Sequence, residues 1–230
     1  MRQPLGTVLS YPGLITSTPD TAITLESPAY SLQEKVLELI VSGRIAPGEP
    51  IRQDRVAHDF GISKVPLREV LARLEEMGLV EGAMHRGYVA APLSREEADD
   101  LFSTRLMIEP ATAGVAAERA SDDDRRTVED LQRHLGRLPD SAPETASARL
   151  GLIQALLRPA RRPSVVKIVA PLFYRSERYF SNGAKNVVDA PSLDELVRAW
   201  ILARPGAVRE LYEHRLATRW KAALIGFGVK

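Results

Sequence analysis

Lys64 and Arg68 stand four residues apart, so on a helix they share one face, opposite an apolar stripe of Leu67, Val70, Leu71, Leu74 and Met77. Two cations on the first turns of a short helix, backed by an apolar stripe, suit the major groove of duplex DNA. There such residues reach base edges and phosphates. Ser63 precedes them; its hydroxyl fits a helix N-cap, and the amides of the first turn point where a phosphate would dock. Arg55 comes from the helical stretch just before. Arg86 and Gly87 sit at the tip of a short hairpin, a shape that enters the neighbouring minor groove. Bulk charge gives no help, because residues 31–92 hold eight Lys+Arg against nine Asp+Glu. Placement must carry the binding; otherwise Lys64 and Arg68 only solvate a surface helix.

Further along, Arg105 and Glu109 are also four apart. Either they form an ion pair that orders a helix bundle, or Arg105 offers its planar fork to a carboxylate ligand. The groupings that catalysis needs are missing from the sequence. It has no Gly-rich phosphate loop, no His-x-x-x-His pair, no activated nucleophile and no paired carboxylates with a supporting base, which points away from an enzyme. Zero cysteines exclude disulfides, thiolate metal sites and a cysteine nucleophile, and agree with a reducing compartment. His58 and His134 carry no motif and are expected at the surface, while Tyr174, Tyr179, Phe180 and Trp200 are expected to pack.

The elements that must position these residues can be read from caps and periodicity. The chain has 230 residues, 44% of them hydrophobic, 27% charged and 6% aromatic, with a net charge of +1, which suits two small domains. Residues 1–30, rich in Thr, Ser and Pro, predict a flexible arm. Ser31 and Glu34 have the capping-box form, predicting a helix that starts at Ser31 and ends at Gly43. A short helix through Arg55 stops at Gly61, and a second runs from Ser63 to Gly78. Two strands, Leu79-Val80 and Tyr88-Val89-Ala90, follow around the turn Met84–Gly87. Residues 31–92 therefore outline a winged helix-turn-helix domain.

From residue 93 to 230 the pattern is helical, with about six helices in an all-α bundle, so the fold class is mainly α. Ser94 opens a long helix to about Arg119, and Ser121 opens the next. Further helices run from Ala148 to Leu157 and from a cap at Ser164, the latter bent by Pro171. After a loop from Ser181 to Pro191, Ser192 and Glu195 form another capping box, and Pro205-Gly206 separates the last two helices. The N-terminus lacks a secretory pattern, and no apolar run approaches a membrane span of about 20 residues. These features predict a cytoplasmic protein without a membrane partner.

Residues 31–92 resemble the N-terminal domain of GntR-type bacterial transcription regulators. The resemblance runs through Ile45-Ala46-Pro47-Gly48-Glu49, Asp54-Arg55-Val56-Ala57, the stretch Gly61 to Leu71, Leu74-x-x-Met77-Gly78-Leu79-Val80 and Arg86-Gly87-Tyr88-Val89. It implies operator contacts at Arg55, Ser63, Lys64, Val65, Arg68, His85, Arg86 and Gly87. That family commonly carries arginine where Lys64 stands; lysine keeps the attraction to phosphate but loses the two-pronged fork that reads guanine.

The helical half resembles the FadR-type effector domain, called FCD, through Leu101-Phe102-x-x-Arg105-x-x-Ile108-Glu109, Ala116 to Ala120 and Leu156 to Pro163. Many such domains hold a divalent metal through an aspartate and three histidines. The corresponding places here are Arg149, Ile153, Ser192 and His214. One imidazole cannot supply the three or four ligands a metal needs, so no metal or other cofactor is expected. An inward-facing Arg149 needs Glu109 or an anionic effector as partner. The candidate effector residues are thus Arg105, Glu109, Arg149 and His214, although Ser192 reads equally as a helix cap and His214 as a surface residue. The resemblance implies a homodimer that binds double-stranded operator DNA under the control of a small carboxylate. The alternative is a regulator with a decayed pocket, binding DNA constitutively or answering to a protein partner.

Overall fold

The computed structural model describes residues 28–83, 87–139, 144–180 and 192–225. The expected arm lies outside them up to residue 27, as do Met84, His85 and Arg86 of the hairpin turn and the expected loop from Ser181 to Pro191. Helix α1 (Pro28–Val41) starts three residues before Ser31, which lies within the helix instead of capping it. Proline is favoured at a helix start, where its missing N–H is no loss.

After α1 the chain forms α2 (Gln53–Asp59) and α3 (Lys64–Glu76). Leu67, Val70, Leu71 and Leu74 on α3 are buried against Leu32, Val36 and Ile40 of α1, which fixes the rotation of α3 about its axis. Gly78 stops the helix. Its φ of +70° suits glycine, and the turn lets Leu79 donate its N–H to the Leu74 carbonyl at 2.9 Å.

Strands β1 (Val80–Ala83) and β2 (Gly87–Ala90) pair antiparallel, with Val80 opposite Ala90 and Ala83 opposite Gly87. The segment before α2 covers the other edge of β2: Gly48 donates to the Ala90 carbonyl and Ile51 to the Tyr88 carbonyl, both at 2.8 Å. These bonds close the outer edge of β2 and hold the wing on the helices.

The second half is built on α4 (Arg95–Arg119), capped by Ser94, whose hydroxyl accepts the Glu97 N–H at 3.0 Å. Then come α5 (Asp122–Leu135), with a reciprocal capping box between Ser121 and Asp124, α6 (Thr145–Leu157) and α7 (Pro163–Glu177). A 3-10 turn, Arg178–Phe180, extends α7, and α8 (Leu193–Ile201) and α9 (Pro205–Ile225) follow. Helix α6 starts at Thr145, three residues before the expected Ala148. Pro163 takes the first position of α7, so Ser164 is interior and not the cap the sequence suggested.

Helix α4 runs through the bundle, packed along α9 and against α6 and α7. Trp200 is fully buried, and its indole N–H donates to the Leu156 carbonyl at 3.0 Å. Arg125 stacks over that ring and donates to the carbonyls ending α4 and α8, at Ala117, Ala120, Trp200 and Ile201. The expected packing residues Tyr174, Tyr179, Phe180 and Trp200 are all buried, and His58 and His134 are exposed. Among the described residues, no helix is long and apolar enough to cross a membrane.

Candidate nucleic-acid interface and anion cavity

The outer face of α3 and its N-cap present four of the residues that the sequence assigned to DNA. Ser63, Lys64, Val65 and Arg68 are exposed, and Leu67 behind them is fully buried. Ser63 occupies the N-cap position, but its hydroxyl makes no capping bond, so the first turn keeps its amides for an outside acceptor. Val65 is 66% exposed, an apolar side chain in water that could meet a thymine methyl. Lys64 pairs with Asp54, and Arg55 lies 3.7 Å from Asp59; all four groups are exposed, so these pairs are weak and open to exchange for phosphate.

Gln53, which sequence reasoning did not single out, ties this face together. Its side-chain oxygen accepts from Arg68 Nε at 3.4 Å. Its amide nitrogen lies 2.9 Å from where a Cβ on Gly87 would stand, so the wing comes close to α2 at a glycine, whose φ of +77° also favours that residue. His85 and Arg86 lie outside the described residues. A glutamine at the start of a seven-residue helix carries no sequence signal for such a bridge.

A second polar centre lies inside the bundle. Arg105 and Glu109 form a two-pronged ion pair, Nε to Oε1 at 2.7 Å and NH2 to Oε2 at 3.0 Å, with Glu109 fully buried. Ser176 accepts from Arg105 at 2.6 Å, and Tyr212 donates its hydroxyl to Glu109 at 2.7 Å. Burial alone would lower the Arg105 pKa; the Glu109 carboxylate outweighs it and the pKa is raised. Tyr212 is pushed well up, first by burial and then by Glu109. The Arg105–Glu109 pair is thus an integral part of the core, with every prong of the fork occupied.

Beside it is a cavity of about 20 Å³, room for a single water. Its charged walls are Arg105, Arg149, Arg215 and Arg219 against Glu177. Arg149 donates to Glu177 Oε2 at 2.8 Å, and Arg219 bonds the other oxygen. Burial would raise the Glu177 pKa, but Arg219, Arg149, Arg105 and Arg215 together hold it below the ordinary carboxylate value. Burial and the other guanidiniums press on Arg219, whose pKa falls to about 10 despite Glu177. Arg215 is lowered by burial and by Arg149. Counting Glu109 behind Arg105, four guanidiniums face two carboxylates, a local charge of +2.

The structure therefore brings Arg105, Glu109 and Arg149 together but leaves out His214. That residue is exposed and lines a separate open groove with Leu106 and Met107. Of the places matching the family's metal ligands, Arg149 and Ile153 reach the cavity. The Ser192 hydroxyl instead caps α8, accepting the Glu195 N–H at 3.1 Å. A cavity walled by guanidiniums does not fit a divalent cation, because like charges repel and, among the described residues, no imidazole lines it. Glu177, Arg215 and Arg219 were missed from the sequence. The signal was present for Arg219: Val208, Tyr212, Leu216 and Ala223 form the buried stripe of α9, and an arginine interrupts it.

Residues 28–89 match the family described as bacterial regulatory proteins, gntR family, and residues 100–201 match the FCD domain. Among curated relatives, the transcriptional regulator YdhC of Bacillus subtilis is 27% identical over 108 residues, 46% of this chain and 48% of that protein. The Nta operon transcriptional regulator of Aminobacter aminovorans is 30% identical over 93 residues, 40% of this chain and 44% of that protein. The matched part thus spans about half the length of such relatives or less. Among solved structures, E. coli McbR/YncC superposes with a TM-score of 0.69 at 15% identity, covering 87% of this chain and 99% of that one, which shows a shared fold.

Proposed function

Because the chain belongs to the gntR family of bacterial regulatory proteins and carries an FCD domain behind its DNA-binding domain, we infer that it is a cytoplasmic, homodimeric transcription regulator. It binds operator DNA sequence-specifically and is not an enzyme. The observation that carries this reading is the face of α3: Ser63, Lys64, Val65 and Arg68 exposed on one side, with a fully buried leucine stripe fixing the other. Rigid presentation of a few cations and a methyl-bearing side chain is what base reading needs, and the phosphates supply most of the attraction.

Effector control is assigned to the arginine-walled cavity of the bundle. Its charge favours a small carboxylate over a cation, and no metal is needed to hold one, since guanidinium forks bind carboxylates directly. Two-fold pairing would present two copies of α3 to a pseudo-palindromic site.

Selection of binding sites from random duplexes tests the DNA reading. The wild-type chain is expected to enrich one motif. Lys64→Ala and Arg68→Ala are each expected to weaken binding to it about tenfold or more and to lower the salt dependence by about one phosphate contact apiece. A chain that enriches nothing, or variants that bind as tightly as wild type, would overturn the assignment.

A further inference from the structure

The cavity has one occupant of its own. About 20 Å³ cannot admit a carboxylate with its carbon skeleton, so an anion entering there must displace a group already present. Glu109 is poorly suited to leave, being held in the middle of α4 by Arg105 and Tyr212. Glu177 has the same chemistry as the incoming ligand, bridges Arg149 and Arg219, and is the last residue of α7.

The turn that carries Glu177 looks two ways. Phe173, Ser176 and Glu177 face the cavity and its Arg105. Arg175 and Arg178 reach the DNA-binding domain, and Tyr179 reaches the start of α4 just after it. The Arg175 guanidinium bonds Glu97 at 2.9 and 3.1 Å and lies against Gly78, where a Cβ would stand 3.2 Å from it. Gly78 is the residue that ends the reading helix. Arg178, itself buried, donates to the Ala91 carbonyl, and Ala91 in turn donates its N–H to Leu79 at 3.0 Å. The Tyr179 hydroxyl accepts the Ser94 N–H at 3.3 Å and lies 2.8 Å from Glu97. Arg219, which binds Glu177 from within, also stacks 4.0 Å over the Phe180 ring at the end of the same turn.

We propose that Glu177 is a built-in counter-ion of the anion site, and that the turn Arg175–Phe180 is the lever joining that site to the reading helix. An anion that takes Arg149 and Arg219 from Glu177 releases the lever and loosens its grip on Gly78, Ala91 and Ser94. The inference rests on the anionic-effector reading above, and it adds the residue that the effector displaces and the path by which the DNA-binding domain feels it. A lever with two discrete positions, biased from one side by the ligand and from the other by DNA, is what coupling between the sites requires.

Hydrogen exchange on the full-length chain tests the lever without any ligand. In Glu177→Gln, the amides of Leu79, Ala91 and Ser94 are expected to exchange about tenfold faster than in wild type, while those of Leu67–Leu74 keep their protection. Arg175→Ala, which leaves the cavity intact, is expected to raise the same amides and gives the result should the first variant fail to fold. Unchanged exchange at these amides in a folded variant overturns the lever. Calorimetry with malonate, succinate and glutarate reads the anion site separately. Glu177→Gln is expected to bind the best of them about tenfold tighter, because the internal competitor is gone. Faster exchange with no dicarboxylate binding by either protein overturns the anion reading and leaves the lever standing; tight binding with unchanged exchange does the reverse.

Discussion

At the residue scale, Glu177 is a side chain whose charge is set by opposing effects of the fold. Burial opposes its ionised form, yet the surrounding arginines hold its pKa below the ordinary glutamate value. The sign of its pH dependence follows. Between the folded and the ordinary pKa, the unfolded chain binds a proton that the folded chain does not, so stability falls as pH drops through that window and is fully present above it. Thermal unfolding from pH 7 down to pH 3, values chosen on the order of the carboxylate range, should show an acid limb that flattens in Glu177→Gln. An acid limb of unchanged slope would mean that other carboxylates carry it. Arg105 and Arg149 were legible in the sequence as candidate anion contacts, but Glu177 was not: nothing in a single glutamate on an amphipathic helix says that four arginines from α4, α6 and α9 converge on it.

At the element scale, α4 gains its place from a charge pair that other helices complete. Arg105 and Glu109 lie on α4, Ser176 on α7 and Tyr212 on α9, so the pair pins three helices by hydrogen bonds in the buried interior. The spacing of four was visible in the sequence, and so was the possibility that it is structural. Its burial was not, because an i, i+4 pair reads the same on a wet face as on a dry one. Removing one partner leaves the other charge buried. Glu109→Ala is therefore expected to destabilise the bundle by about 3–5 kcal/mol in urea unfolding, whereas the double change Arg105→Met with Glu109→Leu should recover most of that loss. A double variant as unstable as the single one would show that the pair itself, and not the orphaned charge, supplies the stability.

At the scale of the whole molecule, the net charge of +1 leaves no bulk attraction for DNA, so the proposed reading rests on the local placement of cations on the exposed face of α3. Light scattering is expected to give twice the mass of the chain, and the selected operator to show two inverted half-sites about 10 base pairs apart or a multiple of that. A monomer that selects a single, asymmetric half-site would contradict the two-fold arrangement. The same scale explains how the two halves communicate. The chain passes from β2 to α4 through Ala91–Leu93, and the proposed lever after α7 holds that connection at the Ala91 carbonyl.

By itself, the sequence determined the elements and the reading face. The caps at Ser94, Ser121 and Ser192, the glycine stop at Gly78 and the leucine stripe of α3 are local signals, and a period of 3.6 places Lys64 and Arg68 opposite the stripe before any partner is known. Where a neighbouring proline competes with a serine, as at Pro28 and Pro163, even the local signal was read a few residues late. Only the tertiary structure decided the cavity, the displacement of His214 to another groove, and the grip of Arg175 on Gly78. Those depend on contacts between residues far apart in the chain. Electrostatic energy depends on distances and burial that no spacing along one helix contains.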